Sequence, residues 1–375
     1  MPFLTVAKPD VGALEQEFVA QAMQSGWVSS IGPFVAQFES EFADFAGTES
    51  AVTISNGTDA LFIALTALGI GAGDEVIVPA LTFVAVASAV VRTGARPHFV
   101  DVDPDTWCMD CEAIELAINA RSRAVIAVHS YGHPVDMDRL GEIAARHKLY
   151  VVEDCAEAHG AKSRGKIVGS IGHVGCFSFY GNKIITTGEG GMITSNDRDL
   201  IARCRYLKDH AMDTGRPYYH SEVGYNCRMT NLQAALGCAQ LRRVSEFLDN
   251  RRRLLSWYQD AFATCSQIKL NGAASWAEPV VWMICAVFVG MPKGWRDQCM
   301  LDLRNANIDS RPFFYPLCDL PPYKNFSQVG VSGNRVSISR RLSENGMNLP
   351  TSYDLSRSDV QRVADEVMKC VSNAA

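Results

Sequence analysis

The chain has 375 residues, 47% of them hydrophobic and 20% charged, which is enough to bury a large core and long enough for about two domains. A formal net charge of −6 offers no broad basic surface for neutralising phosphate backbones, which argues against nucleic acid as a partner while leaving room for a small anionic ligand. No run reaches the ~18 apolar residues of a membrane-spanning helix, and the opening MPFLTVAKPD lacks a signal peptide's apolar core, so a cytoplasmic protein with no membrane partner is expected.

In chain order, Phe34, Phe38, Phe42 and Phe45 fall on one helical face, and Asp59 to Leu68 forms a second apolar helix. Strand-like runs follow at Val76–Val78, His98–Val102, Ala124–His129, Leu149–Glu153, Val174–Phe179 and Gly191–Thr194, with helical stretches such as Asp138–His147 between some of them. This rhythm predicts an α/β fold with a mainly parallel central sheet and helices on both faces, over residues 1–230. Leucines and valines at helical spacing then predict one long helix from about Asn231 to Ala263. It introduces a smaller C-terminal α+β domain, residues 231–375, with a strand-like Val280–Val289, a proline-rich loop at Arg311–Pro322 and a final amphipathic helix near Asp359–Val371.

The 12 cysteines are scattered; Cys108 and Cys111 form a C-x-x-C pair with no second pair at zinc spacing, and the eight histidines form no H-E-x-x-H. Buried, reduced thiols and no metal are expected. A G-x-G-x-x-G between a first strand and helix is also missing, which argues against a nicotinamide-dependent dehydrogenase.

Three stretches carry chemistry. Ser55-Asn56-Gly57-Thr58-Asp59 lies where a strand gives way to an apolar helix, a place where free backbone N–H groups and the helix dipole favour a phosphate; the alternative is that Thr58 only caps the helix. The strand Leu149-Tyr-Val-Val-Glu-Asp154 ends in carboxylates at the edge where parallel sheets bind ligands, so Asp154 can hold a pyridinium proton or cap the following turn. In Phe177-Ser-Phe-Tyr-Gly-Asn-Lys183-Ile-Ile-Thr-Thr-Gly-Glu-Gly-Gly-Met192, a lysine follows a hydrophobic strand among small residues. Burial there would free its amine to attack a carbonyl, whereas the alternative is a surface lysine in a polar turn. Anchor, electron-sink partner and Schiff-base donor are together what pyridoxal 5′-phosphate requires, and Phe83 offers a flat apolar face for its ring.

With Trp27-Val-Ser-Ser-Ile-Gly-Pro33, Gly73-Asp-Glu-Val-Ile-Val-Pro79, Gly224-Tyr-Asn-Cys-Arg-Met-Thr-Asn231 and Asn348-Leu-Pro350, these blocks resemble the DegT/DnrJ/EryC1/StrS sugar aminotransferases over nearly the whole chain. The resemblance implies a fold-type-I aminotransferase, a homodimer with shared active sites. Lys183 would be the Schiff-base lysine and Asp154 the partner of the pyridine nitrogen. Gly57, Thr58 and Ser178 would hold the phosphate, Phe83 would stack on the ring, Glu157 would lie near the phenolic oxygen, and Asn226 would reach the phosphate from the other subunit. The implied reaction is transamination of a nucleotide-linked keto sugar, such as GDP-4-keto-6-deoxymannose, with L-glutamate giving 2-oxoglutarate, in amino-sugar biosynthesis for surface polysaccharide. Related dehydratases carry histidine in place of the lysine, so Lys183 favours transamination. Trp27, His159, Asn182 and Tyr315 are candidates for the sugar pocket, with packing or turn roles as the alternative; Tyr315 and Cys318 stand where the family pattern has histidines.

Overall fold

The computed structural model describes residues 2–330 and 336–373. The phenylalanine face forms helix α2 (Pro33–Ala46), which follows α1 (Ala13–Gln24). Phe38 and Phe42 are fully buried, with the Phe42 ring edge-on to Phe177 at 4.8 Å and the Phe38 ring 5.1 Å from Phe179. Burying such rings supplies apolar area and aromatic contacts together, so α2 is pinned to the strand end that leads to Lys183.

Next come β1 (Ser50–Ile54), α3 (Gly57–Ala67), β2 (Glu75–Pro79), α4 (Ala85–Arg92), β3 (Arg96–Val100), α5 (Cys111–Ala117), β4 (Ser122–Val128), α6 (Met137–His147) and β5 (Tyr150–Asp154). A short hairpin, β6 (Lys162–Ser163) and β7 (Lys166–Ile167), precedes β8 (Val174–Ser178), β9 (Gly191–Ser195) and α7 (Arg198–Lys208). The central sheet has eight strands in the order β1-β9-β8-β5-β4-β2-β3, completed at its edge by Gln328–Val329. All neighbours run parallel except around β9, which is antiparallel to both β1 and β8. Every residue of β2, β8 and β9 is buried, as expected of strands covered on both faces.

The single long helix expected over 231–263 is two helices, α8 (Asn231–Arg242) and α9 (Val244–Phe262), broken at Arg243 where φ is −100° and ψ 4°. Arg243 reaches Asp10, Glu15 and Glu246, tying the break to the N-terminal segment. A second sheet follows, antiparallel throughout, in the order 268–270, 284–288, 346–349 and 311–312. Only Ile284–Phe288 of the expected strand at 280–289 is extended; the residues before it form the approach that carries Trp282. The helices Trp295–Asn305 and Arg357–Ser372 share a core with this sheet and with Leu4 near the N-terminus. All twelve cysteines are buried and unpaired. No helix among the described residues is long and apolar enough to cross a membrane.

Candidate active site

Helix α3 starts where β8 ends. Asn56 is its N-cap, accepting from the Asp59 amide at 2.8 Å, so Thr58 is not the cap and stands in the first turn with Gly57. A Cβ on Gly57 would lie 2.7 Å from the Ser178 Cβ, closer than real contacts, so glycine is what lets the helix start abut the strand end. Gly191 backs the same turn: its Cβ would meet the Asn56 carbonyl oxygen at 2.6 Å. The turn therefore presents the helix's first amides next to the Ser178 hydroxyl, a donor set suited to a phosphate.

Two adjacent residues of β5 have opposite surroundings, because successive side chains of a strand point to opposite faces. Glu153 is fully buried and saturated: its oxygens accept from the amides of Gly169 (2.9 Å), Ile171 (2.8 Å) and Gly172 (2.6 Å) and from His129 Nε2 (3.1 Å). His129 Nδ1 accepts from the Val135 amide, so both carboxylate and imidazole are already engaged. His129, Glu153 and Cys155 stand close enough to hold a cation, but the Glu153 oxygens and the His129 ring nitrogens serve these bonds, and we read the trio as structural. Asp154, by contrast, accepts a single amide hydrogen bond, from Ala156 at 3.1 Å. Burial raises its pKa, against the Ala156 bond and the charge of Lys183.

Lys183 sits in a loop folded back on Phe179: Phe179 exchanges main-chain hydrogen bonds with Thr187 and Gly190, and Lys183 N donates to the Tyr180 carbonyl. The ammonium is 3.8 Å from Glu157 Oε1 and 3.9 Å from the centre of the Trp282 ring. Burial lowers its pKa, opposed by Glu157 and Asp154. Burial likewise pushes Glu157 up to about 7, against the pull of Lys183 and a 2.7 Å hydrogen bond from the Tyr131 amide. Amine and carboxyl are thus both driven towards their neutral forms, which suits a nucleophilic lysine.

The other expected site residues are placed as follows. Phe83 is exposed on one side and meets Phe314 at 5.9 Å. Asn226 is exposed, accepts from Arg228 Nε, and precedes Cys227, whose carbonyl accepts from the Ser55 amide. Trp27 is exposed, with its carbonyl held by Asn231 Nδ2 at 2.7 Å, and Tyr315 is exposed too. Asn182 is half-buried, its carbonyl accepting from Trp282 Nε1 at 2.9 Å. His159, expected at a sugar pocket, is instead fully buried against Phe177 and Phe179, where a sugar cannot touch it. Burial and the nearby Lys183 charge hold its imidazole down at about 3. Cys318 is buried in the core, not turned to a pocket.

Sequence reasoning missed Trp282 and Tyr131. Trp282 comes from 100 residues beyond Asn182, and Tyr131 lies 26 residues before Glu157 in a turn without a chemical signature, so only the fold brings them together.

A pyridoxal phosphate fits this set on the structure's own terms. The α3 start and Ser178 supply phosphate donors, Asp154 is a buried acceptor with most of its lone pairs unused, and Lys183 is a buried amine with no hydrogen bond among the described residues. Asn182 Oδ1 and both His159 nitrogens, close to this centre, also lack partners among the described residues. Fold and site together define an aminotransferase of the pyridoxal-phosphate type. The sequence profile of the DegT/DnrJ/EryC1/StrS aminotransferase family matches residues 9–368, and the chain belongs to that family. It is similar to the GDP-perosamine synthases of Caulobacter vibrioides, at 44% identity over 97% of each chain, and Escherichia coli O157:H7, at 38% over the whole of both. Among solved structures it resembles the putative sugar aminotransferase Spr1654 of Streptococcus pneumoniae in its PLP form, with TM-score 0.92, 27% identity and coverage of 100% of this chain and 99% of that one.

Proposed function

We propose that this chain transfers an amino group from L-glutamate to the ketone of a nucleotide-linked keto sugar, with GDP-4-keto-6-deoxymannose as the leading substrate, in amino-sugar biosynthesis for surface polysaccharide. The observation that carries the reading is the buried Lys183 amine, boxed by Glu157 and Trp282 at the same sheet edge as Asp154. The names of the similar proteins support the nucleotide sugar.

Pyridoxal phosphate, when bound, supplies an aldehyde that captures amines and a protonated ring that accepts electrons as a C–H bond breaks. Gly57, Thr58 and Ser178 would hold its phosphate, and Phe83 would lie against its ring. Asp154 would keep a proton on the ring nitrogen, whose positive charge would offset the burial penalty that raises the Asp154 pKa. Glu157, anchored by the Tyr131 amide, would lie near the phenolic oxygen. Lys183 would be the residue that joins the cofactor, and its neutral amine would move the proton at the donor's α-carbon and return it in the reverse half-reaction. Asn226, exposed in the single chain, would reach the phosphate of the partner's site in a homodimer with shared active sites.

The test is incubation of the purified, cofactor-loaded protein with L-glutamate and GDP-4-keto-6-deoxymannose, followed by mass spectrometry. The expected products are 2-oxoglutarate and a GDP-linked amino sugar. Glutamate turnover with no conversion of this sugar, but conversion of an inosose or another keto sugar, would move the substrate class; no 2-oxoglutarate at all would make the protein a silent cofactor binder.

A further inference from the structure

Trp282 is fixed from two sides. Its carbonyl accepts from Arg251 Nη1 at 2.6 Å, so α9 holds its backbone, and its Nε1 donates to the Asn182 carbonyl at 2.9 Å, so the ring is tied to the residue next to Lys183. The indole is 5% exposed and lies nearly parallel to Tyr131, at 6.0 Å and 20°; Tyr131 in turn stacks on Phe313 and Phe314. Arg251 is itself buried, which lowers its pKa to about 10, and it is aimed at Trp282 rather than at a carboxylate. A buried guanidinium committed to one carbonyl marks a position that the fold maintains at a cost.

The Lys183 ammonium rests on the face of this ring. An aromatic face attracts a cation without a directional hydrogen bond, and more strongly where water is scarce. We propose that Trp282 is the positioning residue for the free Lys183 amine: its indole face and the Glu157 carboxylate seat the ammonium whenever the lysine is not joined to the cofactor, and so govern how readily it gives up its proton. The inference rests on Lys183 being the reactive lysine, and it adds the group that holds this lysine between its two tasks.

The charged groups around Lys183 act together with the ring. Glu157 and Asp154 both favour the ammonium, and His159, held neutral by burial and by the Lys183 charge, adds no charge of its own. On the other side Lys8 is paired with Asp354 at 3.1 Å, Asp10 is paired with Arg243, and Arg251 points at Trp282. A ring that stabilises the cation raises the pH at which the amine becomes neutral, so weakening the ring should lower that pH.

The experiment is competitive labelling of the full-length, cofactor-free chain with acetic anhydride across a pH series, reading acetylation of Lys183 by mass spectrometry with the exposed Lys166 as internal reference. Trp282→Leu should shift the Lys183 profile about one pH unit downward and Trp282→Phe about half as far, with the Lys166 profile unmoved. Because leucine removes a core ring, the same profile is also taken on protein grown with fluorinated tryptophan, which keeps the shape and weakens the face; it should shift in the same direction. Profiles of Trp282→Phe and of the fluorinated protein that superimpose on wild type, or move upward, would overturn the proposal. Borohydride reduction after adding pyridoxal phosphate separates the two readings: no label on Lys183 refutes the reactive lysine, whereas the acetylation profile reports on Trp282 either way.

Discussion

The molecule buries two lysines at opposite ends of the same structural block. Lys208, the last residue of α7, donates to the Thr53 carbonyl at 2.7 Å and hydroxyl at 3.2 Å and lies 3.5 Å from Glu39, so all three of its protons have partners. Lys183 is nearly as deeply placed, its side chain 12% exposed against 8%, yet its contacts are a carboxylate at 3.8 Å and an aromatic face. Burial lowers both amines, Lys208 to about 8 against the pull of Glu39. What separates them is the use of the protons: a fully bonded ammonium is structural mortar, whereas one held without directional bonds is free to swing and react.

The comparison breaks if the two positions respond alike. Lys183→Ala should lower turnover by roughly 10⁴-fold and abolish borohydride labelling, with the fold intact by circular dichroism. Asp154→Asn should cost about 10² to 10³-fold in turnover, because a charge opposite the ring nitrogen acts in a dry site; wild-type kcat in that variant refutes the electron-sink role. Lys208→Met should do the reverse of Lys183→Ala, lowering stability by about 1–3 kcal/mol in denaturant melts, since Glu39 and Thr53 lose a buried donor, while kcat per folded molecule stays within a few-fold.

The smallest effect concerns pH. Glu157 has its pKa raised by burial to about 7, so the stability it contributes is complete below the ordinary carboxylate range near 4.5 and is lost as pH rises through 7. Glu157→Gln has no proton to lose, so the cofactor-free variant should gain on wild type between pH 5 and pH 8, by on the order of 1 kcal/mol in thermal melts. A difference that is flat with pH would place the shift elsewhere.

That Lys183 and Asp154 share one sheet edge was legible because Asp154 ends its strand and Lys183 follows its own within a few residues, each inside a contiguous block. The βα rhythm was legible for the same local reason. What was not legible depends on distance. The hydrophobic spacing from Leu232 to Leu248 runs through Arg243 without interruption, and the break there reflects its pairing with Asp10 and Glu15, more than 200 residues earlier. The reversed direction of β9 is set by the tight loop at 179–190, which periodicity does not encode. His159 sits in the same block as Asp154, but its side chain turns into the phenylalanine core, a choice made by α2 packing from far upstream.

The anchorage of Trp282 by Arg251 has a consequence for how the enzyme comes into being. A fragment ending before that tryptophan would contain every signature block around Lys183 and still lack the ring that covers one side of its amine. The surroundings of the nucleophile are therefore completed only when the last third of the chain packs against a segment made long before it.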